Sequence, residues 1–199
     1  MCLVVKDEFF PARQAFAPID AAMLERYKMF RKLGFFGVEQ KSRRGAIQFL
    51  RTAEAVLRSP RNLLAVTPQG RFADVRERPV RFEAGLGHLA TRVEQVLFVP
   101  VVAEYVFWEE RLPEIIVRFG EAVEAEEMNS RSAHEWTNIF ERKLESAQNA
   151  LAAEVRRRNS DDFRILLHGG AGQGGVYDLW RSMVARLRGE TFRKEHGNK

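Results

Sequence analysis

Between residues 35 and 119 short apolar runs of strand length alternate with segments of helical period, and few architectures accept that order. Residues 35–40 are short, aromatic and β-compatible. A polar stretch leads into residues 45–58, where Ile47, Leu50, Ala53, Ala55 and Leu57 supply one apolar helix face before Ser59-Pro60 ends it. Residues 62–66 predict the next strand, 82–95 a helix, 96–103 a strand and 114–119 another. Upstream, residues 20–32 predict a helix, because Asp20 is a suitable N-cap and Ala22, Met23, Tyr27, Phe30 and Leu33 recur at helical spacing until Gly34. In such β-α-β order a crossover helix brings the next strand back parallel and covers a sheet face. The expected fold class is α/β, a central, mostly parallel sheet flanked by helices. Ligand sites in such folds gather in the loops at the carboxyl ends of the strands.

The second half reads differently. Residues 132–157 predict one long amphipathic helix with Trp136, Ile139, Phe140, Leu144 and Leu151 on one face. Its polar face carries acids as well as bases, which suits a cover for the sheet better than a helix lying in a membrane interface. Residues 163–167 read as a strand, 168–175 are glycine-rich, and 176–188 read as a helix carrying Tyr177, Trp180, Met183 and Leu187. Strand, glycine loop and helix together evoke phosphate binding. The Lys-Ser/Thr ending of a P-loop is absent, however, and Gly170, Gly172 and Gly175 meet a G-x-G-x-x-G spacing through sheer abundance of glycine. A connecting loop is the reading taken, with a nucleotide-binding module as the alternative. Residues 1–160 are expected to form the main domain, with 161–199 appended to it.

Composition narrows the function classes. A chain of 199 residues suits one domain with a real core. No run approaches the roughly 18 apolar residues a spanning helix needs, and nothing resembles a cleavable signal peptide. The reading is a cytoplasmic protein, with attachment to a membrane surface left open. The single cysteine, Cys2, excludes an intramolecular disulfide and a cysteine-rich metal site, and its apolar neighbours suit an inert buried thiol. No metal site is expected. The net charge of +5 is uneven, with bases at 41–44, 71–81 and 156–158 and acids at 121–127. Basic rims attract anionic lipid, phosphorylated substrates or nucleic acid, although each cluster taken alone reads as a solvated face. The aromatic pairs Phe9-Phe10, Phe35-Phe36 and Phe107-Trp108 read as core and lid, with an acyl-chain lining or insertion into a bilayer as the alternative. Glu109-Glu110 reads as a solvated turn, since carboxylates that share acid–base work need separate environments.

One strand end stands out. Val66-Thr67-Pro68-Gln69-Gly70-Arg71-Phe72 runs from an apolar strand into a Pro/Gly turn that presents an arginine, and Phe82-Glu83-Ala84-Gly85 opens the next helix after a charged loop. Turns of this kind offer charge and backbone N–H groups to an anion. The pattern resembles the third sequence block of the 1-acylglycerol-3-phosphate acyltransferase family, typically F-P-E-G-T-R, a short loop, then F-K-x-G. The Pro and Gly are kept, the usual Glu is Gln69, the Thr is missing, and Arg71 follows Gly70 directly. Leu33-Gly34-Phe35-Phe36-Gly37-Val38-Glu39-Gln40 resembles the second block, roughly G-x-I-F-I-x-R. Gln40 takes the arginine position there, and Lys41, Arg43 and Arg44 stand nearby to replace its charge. Phe98-Val99-Pro100-Val101-Val102 resembles the fourth block, an apolar strand interrupted by proline.

The resemblance implies a glycerolphosphate acyltransferase-like fold. It also implies transfer of a fatty acyl group from a thioester of coenzyme A or acyl carrier protein to a lysophospholipid-type or related lipid hydroxyl, with no cofactor beyond that donor. Gln69, Gly70 and Arg71 would hold the anionic head of the acceptor, assisted by Gln40 and Arg44, while Phe82 and Gly85 seat the following helix. Arg71 leads this set, because a guanidinium fork matches phosphate. The implied partners are a lipid acceptor, an acyl thioester and a membrane surface, and no nucleic acid.

The family reaction rests on an H-x-x-x-x-D motif near the N-terminus, in which His is the general base. None of His88, His134, His168 and His196 is followed five residues later by Asp, and all but His88 lie beyond the fourth block. No catalytic residue is assigned. The expectation is a chain N-terminally truncated, lacking its first strand and its base, and inactive as given. The alternative is a base-less relative that binds lipid or a partner.

Overall fold

The computed structural model describes residues 2–108, 113–125 and 131–167. The chain is mixed α/β, with a small parallel sheet and helices. The described residues fall into two compact units, the first drawn from Met1–Pro100 and Phe119–Ala147, the second from Val101–Arg118 and the chain from Gln148 onward.

In the first unit, helix α1 (Cys2–Phe9) precedes strand β1 (Gln14–Asp20), the centre of a three-stranded parallel sheet ordered β2-β1-β3, with β2 at Phe35–Val38 and β3 at Asn62–Leu64. The sequence assigns no element before Asp20, and Pro18 argues against a central strand. The register removes the conflict. β3 lies beside Gln14, Ala15 and Phe16, and β2 lies beside Ala17 to Asp20, so at Pro18 the ladder runs along one flank.

Asp20 ends β1 and caps α2 (Ala21–Arg26), its Oδ1 accepting from the N–H groups of Ala22 at 2.8 Å and Met23 at 3.3 Å. The single helix predicted over 20–32 divides at Tyr27 and continues as a 3₁₀ turn, Lys28–Leu33, closed by Gly34 at φ 88°. A Cβ on Gly34 would stand 2.1 Å from the carbonyl oxygen of Ala15, so glycine is required there.

Helix α3 (Arg43–Leu57) buries Leu50, Ala53 and Val56, while Ile47 and Ala55, expected on its apolar face, are exposed. The helix predicted over 82–95 shortens to α4 (Gly85–Ala90). The strand predicted over 96–103 breaks before Val101, as a proline without a donor dictates, into β4 (Leu97–Phe98) and β5 (Val101–Val106). β4 pairs antiparallel with β7 (Val123–Glu124).

Helix α5 (Ala133–Arg157) supplies the heart of the first unit's core, where Trp136, Ile139 and Phe140 pack with Ala90 and Val123. Leu86 and Phe98 line both this cluster and a second one formed by Leu50, Ala53, Leu89 and Val93.

In the second unit β5 pairs with β6 (Glu114–Phe119). Arg118 pairs with Glu154, the Arg158 guanidinium donates to the Trp108 carbonyl at 2.8 Å, and Trp108 meets Phe163 with ring centroids 5.9 Å apart. The strand predicted over 163–167 does not form, and Ile165 and Leu167 are exposed there. The Cys2 side chain, Glu109-Glu110, the glycine-rich stretch 168–175 and the helix predicted over 176–188 lie outside the described residues. Among the described residues no helix is long and apolar enough to cross a membrane.

Candidate functional site

The parallel strands β1, β2 and β3 end at Asp20, Val38 and Leu64, and both candidate turns leave from these carboxyl ends. Beyond β3, Ala65 donates to the Phe16 carbonyl at 2.8 Å, and the chain then turns, with Gly70 N–H on the Thr67 carbonyl at 3.3 Å. Gly70 adopts φ 63°, the left-handed region that a side chain resists. Glu83 N–H donates to the Pro68 carbonyl at 2.8 Å, and a Cβ on Gly70 would stand 2.9 Å from Glu83 Cγ. The two halves of the motif, separated by a charged loop in sequence, are therefore neighbours in space.

Arg71 leaves this turn onto the loop and pairs with Glu77 through both ends of its fork, Nη1 donating to Oε2 at 3.1 Å and Nη2 to Oε1. The hydrogen bond and then the charge of Glu77 raise the Arg71 pKa, and the same hydrogen bond holds the Glu77 carboxyl below its ordinary value. Both side chains are open to solvent, at 52% and 40% exposure, so the pair is exchangeable. Beside it, Asp74 accepts from the backbone N–H and the guanidinium of Arg76, and the guanidinium hydrogen bonds hold its carboxyl well below the usual range. Phe72 is fully exposed.

The loop is fastened at its far end by two carboxylates of α5. Glu145 accepts from Val80 N–H at 3.1 Å, and the buried Glu141 accepts from Phe82 N–H at 2.8 Å and from Arg81 at 3.3 Å. Phe82 packs on the Trp136 cluster, and Gly85 faces the Phe49 ring, where a Cβ would be 3.4 Å away. These contacts seat the helix.

Gln40 and Arg44 belong to the turn after β2. Ser42 caps α3 there, its Oγ accepting from Gly45 N–H at 2.9 Å and donating to Glu39 at 2.9 Å. Gln40 and Arg44 are exposed, and neither makes a side-chain hydrogen bond or ion pair among the described residues. The two groups of candidates thus follow the two outer strands, with β1 between them, and the strand ends are offset, Val38 lying beside Asp20 and Leu64 beside Phe16.

The histidines stand elsewhere. His88 lies on α4 and His134 on the first turn of α5, and both line a cavity of about 430 Å³ with Arg81, Thr137, Asn138 and Glu141. His168 and His196 are outside the described residues. Among the described residues no cluster of His, Cys, Asp and Glu could hold a metal ion.

Sequence reasoning missed Glu77, Glu141 and Glu145. Glu77 sits in a run of mixed charge where any carboxylate reads as solvated. Glu141 directly follows Phe140, and its burial becomes visible only once the loop's N–H groups are seen to lack other partners. No known protein family, curated protein or solved structure matches this chain.

Proposed function

We propose that this chain is an acyltransferase-type domain similar to the 1-acylglycerol-3-phosphate acyltransferases, in which Gln69, Gly70 and Arg71 take the anionic head of a lipid acceptor. The observation that carries this reading is the Glu83 N–H to Pro68 carbonyl hydrogen bond at 2.8 Å. It draws Pro68-Gln69-Gly70-Arg71 and Phe82-Glu83-Ala84-Gly85 together at the carboxyl end of a parallel strand, where α/β folds collect ligands. The carboxylate of Glu77 now occupies the guanidinium fork that a phosphate would use. Arg44, without an ion-pair partner among the described residues, offers a second charge from the turn after β2, with Gln40 beside it.

In this reading the acyl group arrives as a thioester of coenzyme A or acyl carrier protein, and the acceptor is a lysophospholipid-type hydroxyl at a membrane surface. Neither His88 on α4 nor His134 on α5 belongs to the turns that leave the strand ends. A positioned base supplies about 10²- to 10⁴-fold in rate, and none of His88, His134, His168 and His196 stands in the family's motif, so the chain binds its acceptor without appreciable transfer.

Titration with lysophosphatidate tests the site. Arg71→Ala raises Kd about ten- to a hundred-fold, and Arg71→Lys recovers only part of the loss. Arg157, held by Asp162 at 3.0 Å near the end of α5, is the control, and Arg157→Ala leaves Kd unchanged. Equal losses at Arg71 and Arg157 would reduce the site to diffuse attraction. Acyl transfer that disappears when any one of His88, His134, His168 and His196 is replaced by Ala would overturn the assignment of no base.

A further inference from the structure

The crossover between β1 and β2 carries an unusual outer surface. Met23, Tyr27, Met29 and Leu33 are each at least 40% exposed within this one short stretch. Interleaved with them are four bases, Arg26, Lys28, Arg31 and Lys32, against one acid, Glu25. Arg31 pairs with Glu25, and Arg26 lies 5.3 Å from the centre of the Tyr27 ring. Lys28 and Lys32 have no ion-pair partner among the described residues. The exposure does not come from a loose segment. Asp20 caps its start, Leu24 is buried beneath it, the Phe30 ring lies 5.9 Å from Tyr27 and 5.4 Å from Phe35, and Gly34 fixes its end.

We propose that residues 23–33 dock on the surface of an anionic lipid bilayer. Apolar side chains that enter the headgroup region, flanked by lysines that meet lipid phosphates, are the combination that holds a segment in an interface. α5 lacks this combination, since its polar face mixes both signs. A second copy is the poorer occupant, because a two-fold contact sets each patch against itself and so sets these bases against their own copies. The inference goes beyond acyl transfer and survives its failure, because a bilayer of phosphatidylcholine and phosphatidylglycerol contains no lysophospholipid acceptor.

The experiment is co-sedimentation of the full chain with vesicles of phosphatidylcholine alone and of phosphatidylcholine mixed with phosphatidylglycerol. Binding to the mixed vesicles, weakened by high salt, is the expected result. Lys28→Ala and Lys32→Ala each lower it about fivefold, and together about thirtyfold. Met29→Glu, at a position 64% exposed, lowers it at least tenfold with Tm unchanged. Phe107→Ser, in the second unit at 65% exposure, leaves binding as it was. Failure to sediment with anionic vesicles overturns the proposal, as does equal loss in Met29→Glu and Phe107→Ser. A dimer in sedimentation equilibrium that Met29→Glu dissociates, with vesicle binding unaltered, assigns the patch to a second copy and also overturns it.

Discussion

Arg71 and Glu77 hold each other fork to carboxylate across the loop that follows β3, on the solvent side of a turn whose backbone is closed by Pro68 and Glu83. If the fork is the anion site, the carboxylate competes with the ligand. Glu77→Gln is expected to tighten lysophosphatidate binding by up to about fivefold, since exposed pairs are weak. Tm stays within error of the parent. Calorimetric titration reads the first and thermal unfolding the second, and weaker binding in Glu77→Gln would show that the pair shapes the site instead of blocking it.

Glu141 makes the opposite case, a carboxylate whose hydrogen bonds fasten the loop. Its oxygens accept from Phe82 N–H and Arg81 in a nearly buried position, with a side chain 10% exposed. Glu141→Ala leaves the Phe82 N–H without its acceptor and is expected to cost about 1–3 kcal/mol. Glu141→Gln keeps one carbonyl oxygen for that N–H and costs less. Denaturant unfolding of both variants checks the order, and equal losses would mean that the charge, not the hydrogen bond, anchors the loop.

Gly34→Ala should be among the most damaging single changes. Its φ of 88° disfavours any side chain, and the new Cβ would press on the Ala15 carbonyl in the central strand at 2.1 Å. Strain of this kind costs about 1–3 kcal/mol before the clash is counted. Gly37→Ala, whose added Cβ would meet the Ala21 Cα at 3.2 Å without a positive φ, is the milder comparison. Thermal unfolding of the two variants decides between them.

Elements fixed by local signals were legible in the sequence. Asp20 as a cap, Gly34 as a stop, the strand over 114–119 and the long helix bearing Trp136 all follow from periodicity and end chemistry, and each is present. Long-range geometry was not legible. β1 contains Pro18 and reads as a poor strand until the offset of its two neighbours is known. The outward position of Ile47 depends on what α3 packs against, and periodicity gives a face without a partner. At the candidate site, Gln69, Gly70 and Arg71 were marked by the turn chemistry of Pro and Gly. Glu77 was not, because a pairing across a loop has no spacing rule of the kind that helices and strands obey.

The start of α5 yields a pH-dependent prediction. Ser132 and Glu135 form a reciprocal cap, in which the Glu135 carboxylate accepts from Ser132 N–H and Oγ–H, both at 2.8 Å, and Glu135 N–H returns to Ser132 Oγ at 3.3 Å. The backbone hydrogen bond and then the hydroxyl hold the Glu135 carboxyl below its ordinary value. A carboxyl depressed in the folded state stabilises the fold above its unfolded pKa, and the contribution is lost as pH falls through the folded value. Glu135→Gln is therefore expected to lower Tm slightly at pH 7, where the parent carboxylate is charged. The difference shrinks as the medium is acidified below the ordinary glutamate range, because the parent then loses the same charge. Thermal unfolding of both proteins across that range measures it. A gap between parent and variant that stays constant with pH would mean that the cap works through shape alone.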